Sequence, residues 1–96
     1  MAKTYRLSPL AVEDLEAIWL YTLKHWSRAQ ADSYHRDFIR AFKGLAAGTK
    51  KGLPTVLAGF QKCLCGSHVI YFLDNGEYLD VIRVLHQRQD AVRHLP

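Results

Sequence analysis

The spacing of apolar residues changes twice along this chain, and each change predicts a new kind of element. Residues 2–7 alternate, with Lys3, Tyr5 and Leu7 on one side and Thr4 and Arg6 on the other, so the chain opens as a short extended piece. The period then becomes helical. Val12, Leu15, Trp19 and Trp26 recur at helical spacing with Ile18 and Leu23 beside them. Ser8-Pro9 supplies a start, because serine can cap the first free N–H groups and proline loses nothing at the first helical position. Glu13, Asp14 and Glu16 load the early turns with the negative charge a helix dipole favours, and Lys24 and His25 close the helix. Ser27-Arg28-Ala29-Gln30 then reads as a capping box, with Trp26 placed before it as a hydrophobic staple. Tyr34, Phe38, Ala41, Phe42 and Leu45 form the stripe of a second helix, which Gly48 ends. Two helices joined by so short a turn form an antiparallel hairpin.

Residues 49–59 hold two glycines and a proline and are predicted to be a loop. Beyond it the period is two, giving strands over residues 60–65, 67–74 and 78–87. Asp74-Asn75-Gly76-Glu77 reads as a two-residue hairpin turn with positive φ at both central positions. That turn would pair residues whose numbers sum to 151. One face would then carry His68, Ile70, Phe72, Leu79, Val81, Arg83 and Leu85. The other would carry Val69, Tyr71, Leu73, Tyr78, Asp80, Ile82, Val84 and His86. Residues 90–95 add a last helical turn. The expected class is α+β, in the order β-α-α-β-β-β: a helical hairpin packed on one face of a small, mostly antiparallel sheet. Both sheet faces are apolar and the helices cover one, so the chain's own ends or a partner should cover the other.

Composition narrows the class. The 96 residues are 49% hydrophobic and 23% charged, with a net charge of +4. That fits one folded domain over 1–96 and excludes intrinsic disorder. The longest uncharged stretch, residues 63–73, is too short to span a bilayer. Lys3 and Arg6 interrupt the start, so no signal peptide is expected, and the expected place is the cytoplasm. Cys63 and Cys65 would share one strand face at a separation poorly suited to a disulfide, and are expected to be reduced, buried thiols. The charge is uneven. Residues 38–73 hold Arg40, Lys43, Lys50, Lys51 and Lys62 and no acid, a basic segment suited to an acidic partner.

Candidate chemistry is sparse. The sequence has no nucleophile elbow, phosphate-binding loop, dinucleotide fingerprint or metal-ligand spacing, and no cofactor or metal is expected. The carboxylates Glu13, Asp14 and Glu16 are explained by the helix dipole. His68, facing Arg83 by the pairing above, with His86 and Arg88 nearby, offers the groups of an RNA-cleaving site: a histidine acid or base and arginines for the developing charge. The same pairing sets His68 and His86 on opposite faces, which weakens that arrangement. Tyr34, Phe38 and Phe42 lie on a core stripe, so direct sequence-specific nucleic-acid binding is not expected.

Four stretches resemble the ParE branch of the RelE/ParE toxin superfamily of bacterial toxin–antitoxin systems. They are Leu7-Ser8-Pro9-Leu10-Ala11 with Asp14-Leu15-Glu16-Ala17-Ile18-Trp19; Tyr21-Thr22 with Trp26, Gln30, Ala31 and Tyr34; Gly66-Ser67-His68-Val69-Ile70-Tyr71-Phe72; and Val84-Leu85-His86-Gln87-Arg88-Gln89-Asp90. The resemblance implies the same architecture and a toxin that inhibits DNA gyrase by binding, without turnover. It also implies a ParD-like antitoxin, whose acidic tail neutralises the toxin in a hetero-oligomeric complex. Arg83, His86, Arg88 and Asp90 of the terminal motif would contact the target. Arg40, Lys43, Lys50, Lys51 and Lys62 would receive the antitoxin. The rival reading is a ribosome-dependent messenger RNA endonuclease of the RelE type using His86, Arg83 and Arg88. A non-toxic interaction module is the third.

Overall fold

The computed structural model describes residues 3–96; Ala2, at the start of the expected first strand, lies outside them. The elements run β1 (Thr4–Leu7), α1 (Pro9–His25), α2 (Arg28–Ala47), β2 (Leu53–Pro54), β3 (Gln61–Cys65), β4 (His68–Asp74), β5 (Tyr78–His86) and α3 (Ala91–His94). They build one mixed sheet in the order β1-β5-β4-β3-β2, with β1 parallel to β5 and the other pairs antiparallel. The α+β architecture follows the expected order, with one addition. Leu53–Pro54, read as loop, pairs with Lys62 and Gln61 as a two-residue edge strand. Two residues are too few for periodicity to show, and a proline at an edge leaves no ladder donor missing.

The helix boundaries follow their capping chemistry. Ser8 Oγ accepts from the Ala11 N–H at 3.0 Å with Pro9 in the first turn, Ser27 Oγ accepts from Gln30 N–H, and Gly48 at φ +81° ends α2. Asp90 caps α3 by accepting from Val92 N–H. The two helices lie on one sheet face. There Phe38, Phe42, Ala11, Leu15 and Leu45 bury Ile70, Phe72, Leu79, Val81, Val84 and Cys63. Burying a large side chain of this kind contributes ~1.5–3 kcal/mol, so this face carries most of the packing energy. Both cysteines are free, Cys63 buried and Cys65 half-buried. The second face holds a smaller cluster, Val69, Tyr71 and Leu85, covered by Ala91 and Leu95 of the chain's own C-terminal turn.

Three packing expectations fail on α1. Trp26 is 76% exposed and Val12 41% exposed, and Ala11 and Thr22 take the buried places instead. The stripe that meets the sheet is Ala11, Leu15, Ile18 and Thr22, and the Thr22 hydroxyl donates to the Ile18 carbonyl. Small side chains bring the helix close, and the large ones are left at its margins. Trp26 therefore ends α1 and is no staple for α2.

The hairpin register also differs. The loop after β4 is three residues long, with Asp74 opposite Leu79, and Asn75 does not take positive φ. Instead Asn75 Oδ1 accepts from the Glu77 and Tyr78 N–H groups, and Gly76 alone turns at φ +93°. Farther along, Tyr71 pairs with Arg83 while Phe72 pairs with Val81, so Ile82 is an extra residue, a β-bulge. A one-residue slip exchanges the faces of all that follows. Arg83 and Leu85 pass to the second face, and Val84 and His86 come under the helices.

Candidate functional site

The bulge decides the site. It sets His86 directly opposite His68, on the same face, with ring centroids 5.3 Å apart in a T-shaped arrangement. The expected separation of the two histidines onto opposite faces is thereby corrected, as is the facing of His68 with Arg83. The histidines form the floor of a cleft of about 610 Å³ at the end of the sheet, walled by Ala17, Ile18, Tyr21, Thr22 and Trp26 from α1 and its turn. Gln30 and Tyr34 of α2 and Gly66 and Ser67 of the β3–β4 turn complete it.

His68 is held on two sides. The Tyr34 hydroxyl donates its single hydrogen to the Cys65 carbonyl at 2.9 Å. The 2.7 Å contact between that oxygen and His68 Nδ1 is therefore assigned as Nδ1–H donating to the phenol. Ser67 Oγ lies 3.4 Å from the same nitrogen, and Phe38 meets the ring edge-on. Burial, then the neighbouring His86, push the His68 pKa down to about 4, so the ring is neutral at pH 7 with Nε2 as its free acceptor. Burial likewise raises the Tyr34 pKa and lifts Cys65 to about 11, so neither offers an anion. Gly66 permits the arrangement. Its φ is +58°, and a Cβ there would sit 2.6 Å from the Tyr34 oxygen. His86 accepts from the Arg88 N–H through Nδ1, and its own N–H donates to Gln89 Oε1.

The other named residues are placed elsewhere. Arg83, leaving β5 on the second face, makes two 2.8 Å bonds from its guanidinium to the Asp14 carboxylate of α1 and a third to the His94 carbonyl, at the strand edge that β1 leaves open. Asp14 also accepts from the Val84 N–H, so it does not serve the α1 dipole as expected but seals β5 where β1 has ended. Ser8 Oγ, donating to the Ile82 carbonyl, does the same one step earlier. Asp90 is a helix cap, and Arg88 is exposed beside His86. The five basic residues divide. Arg40 pairs with Asp37 on α2, Lys43 is exposed nearby, and Lys50 and Lys51 line a groove at the C-terminal end of α2. Lys62 lies opposite Tyr71, on the second face. Sequence reasoning missed Tyr34, Gly66, Ser67 and Trp26 as parts of one site. Only Gly66, between two strands, carried a local signal.

A family described as the ParE toxin of the type II toxin-antitoxin system, parDE, matches residues 5–91. This chain belongs to the ParE toxin family. It is 38% identical over 95 residues to Toxin ParE1 of Caulobacter vibrioides, covering 97% of this chain and 98% of that one. It is 39% identical over 98 residues to Toxin ParE1 of Mycobacterium tuberculosis, covering 99% and 100%. Toxin ParE of Escherichia coli is 30% identical over 94 residues, covering 95% of this chain and 91% of its own. Among solved structures, a chromosomal ParDE toxin–antitoxin system from P. aeruginosa superposes with a TM-score of 0.78 at 18% identity, covering 88% of this chain and 96% of that one. The ParE fold is thus retained with little sequence in common. As a ParE family member the chain is a toxin of a type II system, and such complexes imply a cognate antitoxin. No helix among the described residues is long and apolar enough to cross a membrane.

Proposed function

We propose that this ParE family member acts in the cytoplasm by binding and inhibiting DNA gyrase, and that a ParD-like antitoxin with an acidic tail silences it. The family match over residues 5–91 carries the reading. The placement of Arg83 supports inhibition by binding over RNA cleavage. A nuclease built on Arg83, His86 and Arg88 needs Arg83 free to meet a developing phosphorane charge. Here it is spent on Asp14 and His94, across the sheet from His86. The candidate target contacts narrow to His86 and Arg88. For the antitoxin, Lys43, Lys50 and Lys51 form the accessible basic surface beside Arg40, and a tail that also reached Lys62 would have to pass around the β2 edge.

The test is induction of the chain alone, followed by assay of purified gyrase with the purified chain. Accumulated cleaved DNA or lost supercoiling is expected. Unaffected gyrase together with cut messenger RNA on ribosomes would replace this reading by the endonuclease, and harmless overexpression would replace it by the interaction module. His86→Ala separates the first two: it abolishes a nuclease and leaves a gyrase inhibitor at least partly active.

A further inference from the structure

Trp26 is 76% exposed and Tyr21 61% exposed at the mouth of the cleft, and Tyr21 stacks on His25 with centroids 4.0 Å apart. Water-facing aromatic surface of this extent contributes nothing to the core, and an aromatic rim over a hydrogen-bonding floor suits a planar ring. No charged side chain lines the cleft. Three basic residues neighbour its lining residues along the chain. Lys24 in the last turn of α1 and Arg28 at the start of α2 flank Trp26, and Arg88 follows His86; all three are exposed. Two acids lie near them and both are engaged: Asp32, 3.8 Å from Arg28, is bonded to the Trp19 indole N–H, and Asp90, two residues after Arg88, caps α3 and lies 3.8 Å from Arg93. Lys24 and Arg88 form no ion pair among the described residues. An uncharged aromatic slot inside a basic rim is the arrangement that receives a base together with its phosphates.

We infer that this cleft binds single-stranded nucleic acid by stacking one base on Trp26 and Tyr21, with the adjoining phosphates met by Lys24, Arg28 and Arg88. The base edge meets His68 and Gln30, groups able to accept and to donate. Stacking tolerates any base, so the binding is not sequence-specific. The activity is independent of gyrase inhibition, and its test contains no gyrase.

The purified chain is titrated with single-stranded pentathymidylate, with the same sequence as a duplex, and with thymidine monophosphate, following tryptophan fluorescence. The single strand is expected to quench part of the signal. Trp19 persists as a background, so Trp26→Ala should abolish the quench and weaken binding at least tenfold in a salt titration followed by anisotropy of a labelled strand. The log–log salt slope should be about −1.5 to −2 for two or three phosphates, and Arg88→Gln should reduce its magnitude by about 0.7. Lys43→Gln, on α2 away from the cleft, should change neither. A strand bound tenfold or more tighter than the monophosphate makes a strand the ligand. Equal binding makes it a free nucleotide with the same base-and-phosphate chemistry. No quench at millimolar strand, equal quench by duplex, or binding unchanged in Trp26→Ala overturns the proposal. A quench that appears only when a purified protein partner is added overturns it too and gives the cleft to that partner.

Discussion

Two polar clusters lie on opposite sides of β5, two residues apart at their nearest, and they are built on opposite principles. At the edge of β5 where β1 has ended, Asp14, Arg83, the Val84 N–H and the His94 carbonyl form a cluster around an ion pair whose side chains are 14–15% exposed, with its hydrogen bonds satisfied. On the helix face Tyr34, His68 and His86 form a chain that carries no formal charge at His68 or Tyr34. The first cluster ties together α1, β5 and the C-terminal turn. The second ties α2 to the β3–β4 turn and leaves His68 Nε2 facing a cleft. An enclosed charge needs a partner at every atom and so becomes structure, whereas a neutral ring can leave an atom free for a ligand.

The largest way to break this contrast is Asp14→Ala. It strands the Arg83 guanidinium and the Val84 N–H together, and a loss of about 3–5 kcal/mol is expected in urea denaturation. Asp14→Ala combined with Arg83→Met should recover part of it, because the stranded charge is then removed as well. Gly66→Ala strikes the neutral cluster. A Cβ at φ +58°, 2.6 Å from the Tyr34 oxygen, should cost about 2 kcal/mol by strain and loss of the bond to Cys65. The same measurement with Tyr34→Phe, about 1 kcal/mol, separates the bond from the strain.

The third prediction concerns pH. His68 titrates near 6.5 when unfolded and at about 4 when folded. Between those values the unfolded chain binds the extra proton, so stability falls as pH falls from 6.5 towards 4. Because solvent reaches part of the ring, the loss should be about 1–2 kcal/mol, less than the full shift implies. Denaturation midpoints at pH 7 and pH 5 measure it, and His68→Gln should flatten the difference. The smallest effect is expected from Trp26→Ala. At 76% exposure its removal should change stability by no more than about 0.5 kcal/mol, so any loss of toxicity in cells would be read as lost binding.

Local chemistry made much of the fold legible. Ser8-Pro9, Ser27 and Gly48 mark helix ends wherever the chain goes, because a cap needs only its own neighbours. The order of elements and the strand positions follow from period, and the two-residue β2 was too short to carry one. The candidate site was less visible. Trp26 and Val12 look like core by spacing, yet the face that docks is chosen by which side chains let α1 approach the sheet, and that depends on the sheet. His86 was visible as part of a terminal motif but not as the neighbour of His68.

By itself the sequence determined the element types, the α+β class, the helix caps and a resemblance that family membership bears out, all of which rest on contacts within a few residues or on whole-chain pattern. The tertiary structure alone decided the register. Ile82 bulges where β1 ends and α1 begins; Ser8, which bonds its carbonyl, and Asp14, which bonds Arg83 and the Val84 N–H, come from some seventy residues earlier in the chain. A period-two pattern reads the same on either side of such a slip. Only the assembled sheet, with Asp14 holding Arg83 at the edge of β5, could set His86 beside His68.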